Sequence, residues 1–242
     1  MNALRLAFGT LTVLPVRPPT VDRGTAGRAM ALAPLVGLVL GVVACLPLLL
    51  TETSPLLCAV ATIGALALLT RGLHLDGLAD TADGLGSGRP AADALAVMRK
   101  GDVGPFGVVT LVVVLLAQVA ALAQLVAEGA GAAALVASLV VSRLALPLAC
   151  LRGVPAARAD GLGAAVAGSV SRPAALVAVL LTAIPVVVLA LLVDDAVAWA
   201  PLGLLAGAAL GWRAVRRLGG VTGDVLGAVV EATFTASLVL LC

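Results

Sequence analysis

Tyrosine does not occur in this 242-residue chain; phenylalanine occurs three times, tryptophan twice and histidine once, and a single lysine stands beside fourteen arginines. No basic tract is interleaved with aromatic rings on which bases would stack, which argues against nucleic-acid binding. The four cysteines, Cys45, Cys58, Cys150 and Cys242, show no CxxC spacing and lie in or at the ends of apolar runs. That makes them core filler rather than disulfide partners or zinc ligands. Neither HExxH nor GxSxG is present, so protease chemistry fits poorly. Charge is scarce too: Asp, Glu, Lys and Arg make up 12% of the chain, about half the roughly 25% of soluble domains.

What fills the chain instead is apolar. Hydrophobic residues are 62% and the mean hydropathy is +1.18, the composition of an integral membrane protein. A spanning helix needs about 20 apolar residues. Seven runs qualify, near 30–50, 54–70, 104–126, 131–151, 174–193, 196–212 and 225–242, with the second and sixth the shortest. The expected fold is therefore all-α, a polytopic membrane helix bundle of about seven spans. Residues 1–242 form a single domain without a fixed-period repeat. The apolar opening from Leu4 to Val16 is brief and ends in LPVRPP, so it reads as an interfacial or re-entrant segment rather than a signal peptide.

The few charges sort by side. Arg5, Arg17, Arg23 and Arg28 precede the first span, and Arg71, Arg89, Arg99 and Lys100 follow the second. Arg152, Arg158 and Arg172 follow the fourth, and Arg213, Arg216 and Arg217 the sixth. The alternate connections carry only Glu52, Glu128, Asp194 and Asp195. By the positive-inside rule the N-terminus and the long loops are cytoplasmic, which puts the protein in the cytoplasmic (inner) membrane with a multi-pass topology. Gly37 and Gly41 in the first span form a GxxxG pair of the kind that lets a neighbouring helix approach.

One polar stretch stands out against this background. Residues 71–104 hold five of the thirteen carboxylates and the only histidine, His74. Asp76, Asp80 and Asp83 are spaced by four and three, which on a helix confines them to a wedge of about 60°. Three carboxylates on one face repel one another unless a cation faces them. Hard oxygen ligands with no cysteine nearby select Mg²⁺ or Mn²⁺. A solvated acidic loop is the plain alternative. His74 falls on the opposite side of that helix, suited to substrate or backbone rather than metal. AADALAVMRK, from Ala91, reads as a short amphipathic helix on the membrane surface, with Ala91, Leu95 and Met98 on its apolar side and Arg99 and Lys100 at its end.

Three further positions carry chemistry. Arg143 sits inside the fourth span, either snorkelling to the interface or serving as an anion-binding arginine. Thr222 lies among Gly219, Gly220 and Gly223 and leads into Asp224. Seven residues on, Glu231 shares the helical face of Asp224 about two turns into the membrane, as a functional group or as the ion partner of Arg143. The loop RGVPAARADGLGAAVAGSVSRP is Gly/Ala-rich and reads as mostly extended or flexible, with the residue types of a substrate loop. Carboxylate-bound divalent metal next to arginines suits a diphosphate, with a free carboxylate to accept a proton from an attacking hydroxyl.

GLHLDGLADTADGL at 72–85 strongly resembles the signature of the cobalamin synthase (adenosylcobinamide-GDP ribazoletransferase) family. FGTLTVLPV at 8–16, PLVGLVLG at 34–41, VMRKGDVGPFGVV at 97–109, SRLALP at 142–147, PAARADGLG at 155–163 and LGGVTGDVLGA at 218–228 resemble it in the same order, so the likeness covers almost the whole chain. Many members read IMKDSRIG where this chain reads VMRKGDVG, which sets Asp102 apart from the other acids. The resemblance implies transfer of adenosylcobinamide phosphate from adenosylcobinamide-GDP to α-ribazole or its 5′-phosphate, with Mg²⁺ and release of GMP. On it, Asp76, Asp80, Asp83 and Asp224 are candidate metal ligands, with Asp83 alternatively the base. His74, Arg99, Lys100, Arg143, Thr222, Asp224 and Glu231 are candidate substrate contacts. The lipid bilayer is the other partner, and a homo-oligomer is compatible with the sequence. Two rival readings are a CDP-alcohol phosphatidyltransferase-like lipid enzyme, whose acidic spacing is not met here, and an ion-coupled transporter working through Asp224, Glu231 and Arg143. The transporter fits less well because the acids gather at one edge rather than the midplane.

Overall fold

A computed structural model describes residues 2–16, 22–49 and 54–242; Arg17 and Glu52 of the charge pattern lie outside them. The elements are helical throughout. In order they are α1 (Asn2–Leu11), α2 (Arg23–Ala31), α3 (Ala33–Ala44), a 3₁₀ turn at Leu46–Leu49, α4 (Pro55–Leu69), α5 (Leu73–Gly86), α6 (Ala91–Val97) and α7 (Pro105–Ala127). There follow α8 (Gly131–Ala149), α9 (Gly161–Val166), α10 (Arg172–Leu192), a 3₁₀ segment at Asp195–Gly203, α11 (Leu204–Leu218) and α12 (Gly223–Leu240). Two isolated bridges, Leu151 with Val170 and Ala156 with Val221, are the only extended pairings among the described residues.

Five helices are long and apolar enough to cross a membrane: α7, α8, α10, the 3₁₀ segment joined to α11, and α12. Two bent pairs bring the number to seven, α2 with α3 at 44° and α4 with α5 at 88°. Both correspond to the first two expected spans. The sixth extends beyond its apolar run to Asp195–Leu218, and its first nine residues are wound as 3₁₀ helix. The expectation of about seven spans holds.

Proline and hydroxyl residues set the helix starts. Proline occupies the first turn of α3, α4, α7 and α10, where its missing N–H would be unpaired anyway. Ser171 and Thr222 cap α10 and α12 through their side-chain oxygens, satisfying one orphan amide each. Helix α8 is the centre of the bundle and is buried along nearly its whole length. Gly37 and Gly41 let α3 lie against it: a Cβ on Gly37 would stand 2.5 Å from the Leu139 carbonyl oxygen, and one on Gly41 3.0 Å from Val136 Cα. The peripheral helices turn apolar side chains outward, Val109 at 62% exposure, Leu116 at 64%, Leu191 at 78% and Leu205 at 69%. Such faces belong in lipid, where every backbone group must be paired within its own helix.

The bend after α4 positions the acidic residues. Arg71 and Gly72 both adopt left-handed backbone, φ 55° and 65°, and the Gly72 amide closes back on the Ala67 carbonyl at 2.8 Å. The chain then turns and α5 runs across the starts of two spanning helices. Its first half meets α12, where a Cβ on Gly77 would stand 2.7 Å from the Asp224 carbonyl oxygen and one on Gly227 3.1 Å from His74 Cα. Its second half meets α7, where a Cβ on Gly86 would stand 2.6 Å from the Phe106 ring. We read α4 as the crossing half of this pair and α5 as lying along the edge of the bundle.

Two local expectations are corrected. Met98, just past the end of α6, is buried and Leu95 half-buried as expected, but Ala91 is exposed and Ala94 is buried in its place. Met98 packs where a Cβ on Gly84 would be, 2.6 Å from its Cγ, so α6 lies on α5. The Gly/Ala-rich loop after α8 is not extended throughout: it contains α9, and two backbone hydrogen bonds tie it to the loop before α12, Ala157 N to Val221 O at 3.0 Å and Val221 N to Pro155 O at 2.9 Å.

Candidate functional site

At the edge of the bundle a cleft of about 230 Å³ opens between α5, the α8–α9 loop and the start of α12. His74 and Asp76 enter it from α5, Arg158 and Asp160 from the loop, and Thr222 and Asp224 from α12. Leu11, Met30, Leu146 and Leu226 supply apolar wall. Thr222 does more than cap its helix. Its hydroxyl accepts from the Val225 amide at 3.1 Å and donates to Asp224 Oδ2 at 3.2 Å, which orients that carboxylate.

Asp80 lies one turn after Asp76 and is half-buried. Loss of water, followed by the charges of Asp76, Asp224 and Asp83, pushes its carboxyl up from the ordinary 3.8 to about 6, with Arg158 pulling the other way. Three acids and one guanidinium within electrostatic reach of Asp80 leave a surplus of negative charge. Among the described residues no three carboxylate, thiol or imidazole groups are close enough to enclose a cation by themselves. That geometry still fits Mg²⁺, which is commonly held by one or two carboxylates while water and substrate phosphates complete its shell. The donor set is all oxygen and open on one side.

Asp83 is engaged by a neighbouring helix. Its carboxylate is buried and accepts hydrogen bonds from the Gly104 amide at 2.7 Å and the Gly107 amide at 2.9 Å. Both oxygens are thereby engaged at the start of α7, where a negative charge also meets the positive end of the helix dipole. Room for this comes from two glycines, since a Cβ on either Gly104 or Gly107 would collide with the carboxylate. Asp83 thus stays on the Asp76 side of α5, two turns further along, with its carboxylate engaged by the start of α7. Next to it a shallower groove is lined by Arg89, Lys100 and Asp102, so Lys100 faces a different opening from Asp76 and Asp224. Arg99 is exposed and ion-paired to Asp160.

The interior charges form a second polar layer. Arg143 is 1% exposed, so it does not snorkel. It donates from Nη1 to Ser142 Oγ at 2.9 Å, while its Nε has no partner among the described residues. Glu231 lies within its electrostatic reach but outside ion-pair distance; the Glu231 carboxylate accepts from Gln118 Nε2 at 2.8 Å, and the same amide donates to Thr235 Oγ1 at 2.9 Å. His74 is 3% exposed, and both ring nitrogens are buried without a partner among the described residues. A buried polar group left unpaired is costly, and this one lines the cleft.

Arg158, Asp160 and Gln118 are the residues that sequence reasoning did not single out. Arg158 and Asp160 sit in a loop with no periodic pattern, although both fall inside PAARADGLG. Gln118, one of two amides in the apolar α7, is the hydrogen-bond partner of Glu231.

The Cobalamin-5-phosphate synthase family matches residues 3–242. A protein named adenosylcobinamide-GDP ribazoletransferase from a Nocardioides species is 48% identical over 242 residues, covering 98% of this chain and 96% of its own. A protein of the same name from Frankia casuarinae is 42% identical, covering 100% and 94%, and one from Syntrophobacter fumaroxidans 39%, covering 93% and 91%. No solved structure matches.

Proposed function

The chain belongs to the cobalamin-5-phosphate synthase family, and from that membership we propose that it is an adenosylcobinamide-GDP ribazoletransferase. It moves adenosylcobinamide phosphate from adenosylcobinamide-GDP to α-ribazole or α-ribazole 5′-phosphate. The ribose hydroxyl oxygen bonds to the phosphorus carrying the cobinamide, the bond from that phosphorus to the bridging oxygen breaks, and GMP leaves with that oxygen. The observation that carries this reading is the convergence of Asp76, Asp80 and Asp224 beside one open cleft with a surplus of negative charge.

Asp76, Asp80 and Asp224 are the residues that would hold Mg²⁺, together with the diphosphate oxygens. A bound Mg²⁺ would supply positive charge to the departing GMP. An oxygen of Asp80 not used for metal would accept the hydroxyl proton. Thr222 fixes Asp224 through its hydroxyl. His74 offers a ring nitrogen to substrate at the inner wall, and Arg99 and Lys100, both exposed, meet the parts of this large donor that lie outside the cleft. Arg143 and Glu231 act from beneath as the polar layer supporting His74. The whole chain works as one catalytic unit. The arginine-bearing loops that build the cleft belong on the cytoplasmic face of the inner membrane, with the N-terminus on the same side.

The test is GMP release from adenosylcobinamide-GDP by purified protein in lipid, with and without α-ribazole and with Mg²⁺ present or removed by EDTA. Release that needs both acceptor and metal is the expected result. Folded protein that releases no GMP with both present would overturn the assignment.

A further inference from the structure

Two arginines meet the acids of the cleft: Arg99 pairs with Asp160 from the exposed side, and Arg158 faces Asp224 with its bonding incomplete. Among the described residues Arg158 is the only Lys or Arg side chain lining the cavity, and 16% of that side chain is exposed. A guanidinium carries five N–H donors in a rigid fork. One nitrogen of this fork, Nη2, donates to the Leu95 carbonyl of α6 at 2.8 Å. Nη1 reaches Asp224 Oδ2 only at 3.5 Å, well beyond the 2.7–2.9 Å typical of a charge-assisted bond. Nε is buried with no partner among the described residues. The group is anchored at one corner, loosely paired at a second and idle along a third.

Its backbone is held firmly. Ala157 N donates to Val221 O, and Val221 N to Pro155 O. Gly220 allows this contact, since a Cβ there would stand 2.5 Å from Ala157 N. The loop is laced to the segment leading into α12, so Arg158 and Asp224 are presented from one fixed unit. The other basic candidates do not line the cavity: Arg143 is inside the bundle, Arg99 is held at the rim by Asp160, and Lys100 faces the neighbouring groove.

We propose that Arg158 is the diphosphate-gripping residue of this cleft, released from its long contact with Asp224 when that carboxylate turns to a cation and taking a phosphate oxygen in its place. The ligand class is a phosphoric anhydride, and the fork geometry suits two oxygens at once. The proposal rests on the transferase assignment, but its test separates the two. The alternative role for Arg158 is a strap that holds the α8–α9 loop to α6 through Leu95.

The experiment compares wild type with Arg158→Lys and Arg158→Gln, all in lipid. It measures KM for the donor and for α-ribazole, kcat, the unfolding midpoint, and binding of inorganic diphosphate in the presence of Mg²⁺. Arg158→Gln is expected to raise donor KM by about tenfold to a hundredfold and to weaken diphosphate binding to a similar degree. The α-ribazole KM should hold within about twofold, added guanidine should recover part of the loss, and Arg158→Lys should fall between. Unchanged donor KM and unchanged diphosphate affinity would overturn the proposal. So would a lowered midpoint with both KM values worsened and no rescue, the pattern of a strap. If Arg158→Gln does not fold, Arg158→Lys decides by the same two readouts. If wild type releases no GMP, the transferase assignment fails while diphosphate binding still decides the role of Arg158.

Discussion

The carboxylate of Asp83 accepts a hydrogen bond from the Gly107 amide at 2.9 Å, so the last acid of α5 closes the first turn of α7. With Gly104 as its second donor, the group caps a helix across a gap of more than twenty residues. Asp83→Asn keeps the shape but turns an NH₂ toward one of those amides. It should cost about 2 kcal/mol of stability, read as a lowered unfolding midpoint. The rise in midpoint on adding Mn²⁺ should survive. Loss of that rise with an unchanged midpoint would return Asp83 to the metal.

Asp80 predicts the reverse pattern. Its folded carboxyl titrates near 6, above the ordinary 3.8, so its protonated form is favoured by the fold. That contribution to stability is complete below about pH 4 and is lost as pH rises through about 6. In EDTA the wild-type midpoint should fall between those values. Asp80→Asn, uncharged throughout, should fall less across that window and should unfold later than wild type near pH 7. Parallel curves for the two proteins would show that the crowding of charge around Asp80 carries no energetic weight.

Adding Mg²⁺ or Mn²⁺ should reverse the penalty. A cation at one hundred times its dissociation constant stabilises the folded state by about 2.7 kcal/mol. Wild type should show a rise in midpoint that saturates with metal. Asp76→Asn, Asp80→Asn and Asp224→Asn should each lose most of that rise along with GMP release. An equal rise in all three variants would place the cation somewhere else.

Gly77 sets the distance between the two halves of the site. A Cβ there would stand 2.7 Å from the Asp224 carbonyl oxygen and 2.9 Å from its Cα, so Gly77→Ala must push α5 off α12. A displacement of about 1 Å between Asp76 and Asp224 should lower kcat/KM roughly a hundredfold. Gly64→Ala is the control, since a Cβ at Gly64 of α4 meets nothing within 4 Å and alanine is the better helix former. Steady-state kinetics on the two variants decides the point.

The sequence made the spans legible because lipid imposes length and apolarity directly. It also exposed Asp76 and Asp80, whose four-residue spacing survives as one turn of α5. Asp83 shares that helical wedge in sequence terms, yet a second helix begins beside it, and no periodicity within residues 72–86 announces where α7 will start. Arg143 was readable as a buried charge, while its separation from Glu231 depends on Gln118, a residue on a third helix. Arg158 was hidden for a simpler reason. It belongs to a loop, and its meaning comes from Val221 and Leu95, which are distant in the chain. The 88° turn leaves a faint mark in Gly72, but the left-handed backbone at Arg71 has no signature in its side chain.

The crossing of α5 over two helix starts has a mechanical side. Pinned to α7 through Asp83 and seated on α12 through Gly77 and Gly227, it acts as a tie beam between two posts that stand in the bilayer. When thinner or thicker lipid tilts one post against the other, the beam has to rotate or slide at a joint. The joint on α12 is the one that carries Asp224. A shift at that joint would change the spacing between Asp224 and the carboxylates that α5 carries.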